Sequence, residues 1–339
     1  MKLKLKQSQQ NRNKMKIEIE KLVRMKQFFN ILQISDKNVQ VILNKPSKLL
    51  MNNIHKNWLK YNHLKADKHQ MPLYINYRSP KIAYVPTVYG VVKQDIQHYT
   101  KDMVLDIDML TGKPMKKSML KLNLFMPQEE AMQYLIQWQR YRKYWWSSIT
   151  TTPSLFSVND FKYENNTARV EIVAGFPNGH QAVESLACET RPTHKYGQLS
   201  CSMCLENALL VLLQDGLNNS QKDEYLRLHR KIAPFKISLA LKFEKEKELD
   251  HNGSLHKMAT LLHHKLLTNK ISTWLPNYSL PLDLQIKENR QLGVTYTAIL
   301  EEETLKFGFF KLMSNSTKLT EQVHLKDFCK YASLKFRDT

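Results

Sequence analysis

The sequence predicts an α/β protein built from two layered domains, and three observations point there. A chain of 339 residues with 42% apolar and 24% charged side chains has an ordinary soluble composition and enough apolar residues for two cores. From Pro72 to Leu124, Pro72, Pro80, Pro86, Gly90, Gly112 and Pro114 punctuate short runs rich in Val, Ile and Tyr, which reads as strands and turns. The last third alternates between hydrophobic periods of two and of 3.6 residues, strand then helix, as expected for helices laid on a sheet.

Taken in order, Ile19, Leu22, Val23, Phe29 and Leu32 give Ile17 to Leu32 a helical pattern, and a second helix follows the breaker Pro46 from Lys48 to Leu64. After the strand-rich segment, Glu129 to Trp146 returns to a helical period, with Tyr134, Trp138, Tyr141 and Trp145 on one face and Arg140 and Lys143 opposite. A strand is expected at Ala168 to Ala174 and a helix at Leu199 to Gln214. Phe235, Ile237, Leu239, Leu241 and Phe243 alternate with Lys236, Ser238, Ala240 and Lys242, a half-buried strand. A charged linker, Glu244 to Asn252, leads to a helix with Leu255, Met258, Ala259, Leu262 and Leu266 on one side. Ile271 to Leu275 and Leu292 to Leu300 are further strands, and Glu301 to Gly308 reads as a hairpin turn into a strand at Phe309 to Met313. A closing helix aligns Leu325, Phe328, Cys329, Ala332 and Phe336. These elements divide the chain into a basic tail or targeting segment (1–16), a first domain (17–228) and a second (229–339).

The net charge of +20 favours polyanionic partners, nucleic acid or an anionic surface. It is unevenly placed: residues 1–70 hold 16 Lys and Arg against 4 Asp and Glu, whereas residues 151–228 hold 6 against 9. Phosphate contacts therefore belong mainly to the N-terminal half, unless the lysines only solvate the surface. The first 17 residues carry six basic residues before the first acid, Glu18, which fits either mitochondrial import or a disordered tail. No stretch reaches the roughly 18 apolar residues of a membrane span, so no membrane partner is expected. Four cysteines in this length point to a reducing compartment rather than a disulfide framework. Cys201 and Cys204, with Cys188 and His194 nearby, have ligand spacing for zinc, or lie one turn apart on a core helix. The interleaved aromatics and bases of Trp138 to Trp146 either stack nucleic-acid bases or form a core stripe that leaves Arg140 and Lys143 outside.

Two blocks carry a resemblance. Trp138 to Ser157 (WQRYRKYWWSSITTTPSLFS) resembles the tryptophan-pair segment of the accessory (processivity) subunits of mitochondrial DNA polymerases, polymerase gamma. Leu228 to Leu239 (LHRKIAPFKISL) with Leu292 to Leu305 (LGVTYTAILEEETL) is similar to the anticodon-binding domain of class IIa aminoacyl-tRNA synthetases. The resemblance implies a class II synthetase-like antiparallel sheet domain without catalytic motifs, followed by an anticodon-binding-like α/β domain with a mixed sheet. It further implies a non-catalytic subunit in the mitochondrial matrix that binds the catalytic subunit and duplex primer-template DNA without sequence preference. No extra helical pair lies between Pro72 and Leu124, where some family members carry one that joins two copies, which implies one accessory chain per catalytic chain. The alternative, a tRNA-binding protein or active synthetase, meets two departures. Leu312 to Thr317 has no Arg where synthetases place an Arg-rich strand end, and 9 glycines leave no Gly-rich strand to approach ATP phosphates. No cofactor or metal is expected.

Two candidate sites follow. Arg140, Arg142 and Lys143 are the candidates for DNA backbone contact. Phe307, Phe309 and Phe310 crowd around Gly308, where alternation lets only part of the set point inward, so at least one is expected at the surface as an anchor for the catalytic subunit. The other reading packs all three against the closing helix through Phe328 and Phe336.

Overall fold

The computed structural model describes residues 16–76, 87–97, 104–115, 117–190, 196–220, 225–243 and 249–336. The chain divides into two compact units, Met1–Gln214 and Asp215–Thr339, a division 14 residues before the expected start of the second domain at 229.

The N-terminal unit opens with a short helix, α1, described over 16–23, where the sequence pattern had extended the helix to Leu32. Instead the chain becomes extended as β1 (Phe29–Ile34), which pairs antiparallel with β2 (Asn38–Leu43); β2 in turn pairs with β5 (Val104–Asp108). Phe29 and Leu32 fit a helix period by spacing alone, but pairing in a hairpin with Val39, Val41 and Leu43 of β2 overrides it. The helix α2 (Lys45–Lys68) starts with Pro46 in its first turn, and the buried Ser47 hydroxyl donates to the Phe28 carbonyl, fixing the entry angle. Its core stripe is Leu50, Ile54, Trp58, Asn62 and Ala66, each four residues on from the last.

The main sheet has eight strands: β3 (Leu73–Ile75), β4 (Tyr89–Asp95), β6 (Met119–Pro127), β7 (Phe156–Val158), β8 (Lys162–Glu164), β9 (Thr167–Phe176), β10 (Gly179–Thr190) and β11 (Tyr196–Cys204). Their order is β3-β4-β6-β11-β10-β9-β7, with β8 on β9; every pairing is antiparallel except β3 with β4. The helix α3 (Ala131–Ile149) lies across β9, β10 and β11. It comes so close to β11 that a Cβ on Gly197 would sit 2.6 Å from that of Ala131, which is why glycine stands there. α2 lies beside α3 on the same face, reaching β4 through a His55–Gln94 hydrogen bond of 2.9 Å. The pairs Asn57–Trp145 and Tyr61–Tyr141 show that the two helices run antiparallel.

The expected helix from Leu199 is corrected to strand then helix: β11 runs to Cys204 and α4 (Leu205–Asn218) begins one residue later. Gly197, Leu199, Cys201 and Met203 are buried while Gln198, Ser200, Ser202 and Cys204 are half-buried, a period of two. Glu206, in the first turn of α4, is buried and accepts hydrogen bonds from the Ser118 backbone N–H at 2.7 Å and its hydroxyl.

The C-terminal unit contains β12 (Ile237–Leu241), α5 (Leu249–Thr268), β13 (Thr273–Trp274), α6 (Leu282–Gln291), β14 (Tyr296–Leu300), α7 (Glu302–Phe307), β15 (Phe309–Ser314), β16 (Thr320–His324) and α8 (Leu325–Phe336). The sheet order is β13-β12-β14-β15-β16; the first three strands are parallel and the last two antiparallel, a mixed sheet. The apolar faces of α5 (Leu255, Ala259, Leu262, Leu266) and α8 (Phe328, Ala332, Phe336) join the strand residues Ile237, Leu239, Ala298, Leu300 and Leu312 in one core. Neither α6 nor β16 shows in the hydrophobic pattern of the sequence. α6 buries no apolar stripe; it docks through Gln285, which clamps the Leu241 backbone N–H and C=O, and through Asn289, bonded to Ser238 and Thr297. The turn expected at Glu301 to Gly308 is also corrected: a reciprocal capping box between Glu301 and Thr304 winds it into α7.

Candidate nucleic-acid and partner interfaces

α3 turns a stripe of Leu135, Trp138, Arg142, Trp145, Trp146 and Ile149 onto the sheet. Arg142 is therefore in the core, with its side chain 1% exposed. Its Nε donates to Glu184 Oε1 at 2.7 Å, an NH group donates to Asn62 Oδ1 at 3.3 Å, and its guanidinium lies 4.5 Å from the Trp145 ring centroid. Trp146 Nε1 donates to the other Glu184 oxygen at 2.8 Å. The ion pair neutralises both charges inside the protein, and Arg142, buried there, cannot reach a phosphate and is withdrawn from the candidate contacts. Its place was readable: Arg142 falls four residues after Trp138 and three before Trp145, on the same helical face. Arg140 and Lys143 are exposed with Tyr144 on the solvent side of α3 and have no ion-pair partner among the described residues.

The cysteines do not converge on a metal. Cys188 and Cys201 point from adjacent strands into the core beneath α3, and Cys204 lies at the end of β11, where its thiol donates to Glu206. Burial raises all three thiols, to about 11 at Cys188 and about 12 at Cys204, so they are packing groups rather than ready thiolates. Among the described residues no three His, Cys, Asp or Glu are grouped to hold an ion; His194 lies outside those residues.

In the C-terminal unit the three phenylalanines part company. Phe310 is 2% exposed, its ring edge-on to Phe328 at 4.7 Å, so it belongs to the core and is withdrawn as a partner anchor. Phe307 closes α7 and is 67% exposed; Phe309 opens β15 and is 45% exposed, resting against His324 at 4.8 Å. Gly308 between them has φ +76°, and a Cβ there would come within 2.8 Å of His324 Nε2. The left-handed turn reverses the chain and leaves both neighbours outward. Nearby, Glu301 pairs with Lys242 at 3.0 Å and Lys311 at 3.3 Å. Burial pushes the Glu301 carboxyl up, but the hydrogen bonds and charges of the two lysines outweigh it and hold the group below the usual carboxylate range. Lys311 is thus tied into the fold, whereas Lys306 remains an exposed cation beside Phe307.

No protein-family model matches the chain. A comparison with curated proteins finds one recurring name. The chain is similar to DNA polymerase subunit gamma-2. The mitochondrial subunit of Xenopus laevis is 24% identical over 249 residues, 63% of this chain and 52% of that protein. The mitochondrial subunit of Drosophila melanogaster is 24% identical over 232 residues, 59% of this chain and 62% of the relative. DNA polymerase subunit gamma-2 of Mus musculus is 26% identical over 249 residues, 63% of this chain and 53% of the relative. The match thus spans about half to three-fifths of the gamma-2 proteins' own length.

Proposed function

We propose that the chain is a non-catalytic accessory subunit of a mitochondrial DNA polymerase, acting in the matrix. The similarity to gamma-2 subunits of frog, fly and mouse is the observation that carries the reading. In it the N-terminal unit is a class II synthetase-like sheet domain stripped of its catalytic motifs, and the C-terminal unit an anticodon-binding-like domain. The accessory chain, one per catalytic chain, holds the polymerase with the exposed Phe307 and Phe309 as anchors and Lys306 on the rim. Arg140 and Lys143 meet the phosphate backbone of duplex primer-template, which needs charge but no base reading. Binding both polymerase and template turns each dissociation of the catalytic chain into a local event at high effective concentration, so more nucleotides are added per encounter.

The test is co-purification of the tagged chain with the catalytic subunit from mitochondria, followed by primer extension under single-encounter conditions. The expected result is a complex whose products are longer than those of the catalytic subunit alone. A chain that captures no polymerase overturns the reading, and ATP–pyrophosphate exchange with one amino acid overturns it in favour of a synthetase.

A further inference from the structure

α2 and α3 together carry nine Lys and Arg against a single acid, Asp67. Three of the nine are engaged within the protein: Arg142 on Glu184 in the core, Lys65 over the Tyr61 and Tyr141 rings at 5.1 and 4.4 Å, and the half-buried Lys48. Lys45, Lys56, Lys60 and Lys68 of α2 and Arg140 and Lys143 of α3 are exposed and have no ion-pair partner among the described residues. Because the helices lie antiparallel on one face of the sheet with their apolar stripes turned inward, their outer sides form one surface. Lys56 and Lys60 are one turn apart, about 6 Å along the axis, and Lys45 lies about 16 Å further toward the helix start. A rigid row of this length, some 22 Å, runs along several phosphates of one strand.

We propose that this two-helix surface, with Lys45, Lys56 and Lys60 as its principal contacts, is a duplex-DNA backbone site. The choice of duplex DNA rests on the reading of the chain as a polymerase accessory subunit; the placement of the site does not. An anionic membrane is the other polyanion and also attracts basic side chains, but a helix seated firmly in the interface lays its apolar side into the lipid. That side of α2, with Leu50, Met51, Ile54 and Trp58, is fully packed inside the protein, and the stretch outward of it between Lys45 and Lys60 presents Asn52 and Lys56. Each lysine held against a phosphate displaces condensed counterions, so the surface binds without sequence preference and with a steep dependence on salt.

The experiment compares the full-length chain with two triple variants of equal charge change. One is K45Q/K56Q/K60Q. The control, K93Q/K121Q/K162Q, removes three exposed lysines from strands β4, β6 and β8, away from the two helices. Thermal melting verifies that each variant is folded. Binding to a 30-base-pair duplex is followed by fluorescence anisotropy over a salt titration. The α2 variant is expected to bind roughly tenfold or more weakly, with the slope of log K against log salt reduced by about 2.7, about 0.9 per lost phosphate contact. The control should change the slope by less than about one. Equal weakening in both variants would mean that bulk charge, not this surface, binds DNA, and an unchanged α2 variant would place the site elsewhere; either result overturns the proposal. So does loss of binding to phosphatidylserine vesicles with duplex binding retained, which assigns the surface to lipid. Capture of the catalytic subunit is scored in parallel. If the α2 variant still captures it while losing duplex, the site is supported and separate from docking. If even the unaltered chain captures no polymerase, the accessory-subunit reading falls while the salt slopes still decide the site.

Discussion

Single side chains separate roles that the sequence had grouped. Phe310 fills the space between β15 and α8, so Phe310→Ala should destabilise the protein by about 3–5 kcal/mol through the cavity it leaves. Phe307→Ala and Phe309→Ala remove exposed rings and should change stability by less than about 0.5 kcal/mol while weakening capture of the catalytic subunit. Urea denaturation with a capture assay checks both; a partner defect confined to Phe310→Ala would mean that docking follows folding alone. His229 offers a pH reading of the same kind. Burial pushes its imidazole down to about 4, and the charges of Lys231, Arg230 and Lys236 push the same way. The unfolded chain, with a value of about 6.5, takes up the proton first. The contribution of His229 is therefore fully present above about pH 6.5 and is lost as pH falls toward 4. Melting temperatures measured from pH 7.5 to 4.5 should fall less steeply for His229→Asn than for the unaltered chain.

At the level of elements, the ion pair between α3 and β10 is the clearest latch, since Glu184 receives both Arg142 and Trp146 of the helix while Arg142 also reaches Asn62 of α2. Glu184→Gln should cost about 3–5 kcal/mol, because it leaves the guanidinium charged in the core. Arg142→Met combined with Glu184→Leu should recover much of that loss, and chemical denaturation of the single and double variants would detect it. The same latch explains what could be read from sequence. The aromatic stripe of α3 and the helices α5 and α8 were legible because apolar spacing is local and strong. Arg142 looks like an outer cation by residue type, and only its position in the stripe places it inside. β1 was read as helix because Phe29 and Leu32 satisfy a helical interval, and only pairing with β2 decides otherwise. α6 was missed because its buried residues are Gln285 and Asn289, which carry no hydrophobic period. In α7, the acidic run at 301–303 looked like a turn until the reciprocal cap with Thr304 was formed.

For the whole molecule, the two units differ in where the chain can be cut. Among the described residues all the strand pairs lie within one unit or the other, and the core of the C-terminal unit is assembled from residues 237–336. At about 125 residues, this unit has the usual size of an autonomously folding domain. The sequence placed its start at 229, after the last residues of a segment that the structure shows to be built in. Tyr225, Leu226 and Leu228 are buried; the Leu226 N–H donates to the Arg290 carbonyl at 3.1 Å, and the Arg227 N–H donates to the Gly216 carbonyl at 3.2 Å. Leu228 packs against Gly293, where a Cβ would come within 2.9 Å of its side chain and where φ is +68°. A fragment beginning at 229 gives up these apolar contacts and leaves the Arg290 carbonyl without that donor, a loss of several kcal/mol by the usual value of about 1.5–3 kcal/mol per buried aliphatic or aromatic side chain. Residues 215–339 produced alone should therefore unfold in one cooperative transition, whereas residues 229–339 should melt at least about 10 °C lower or not fold. Calorimetry on the two fragments decides the matter: equal melting temperatures would show that 215–228 contributes nothing to the unit and that the boundary belongs at 229.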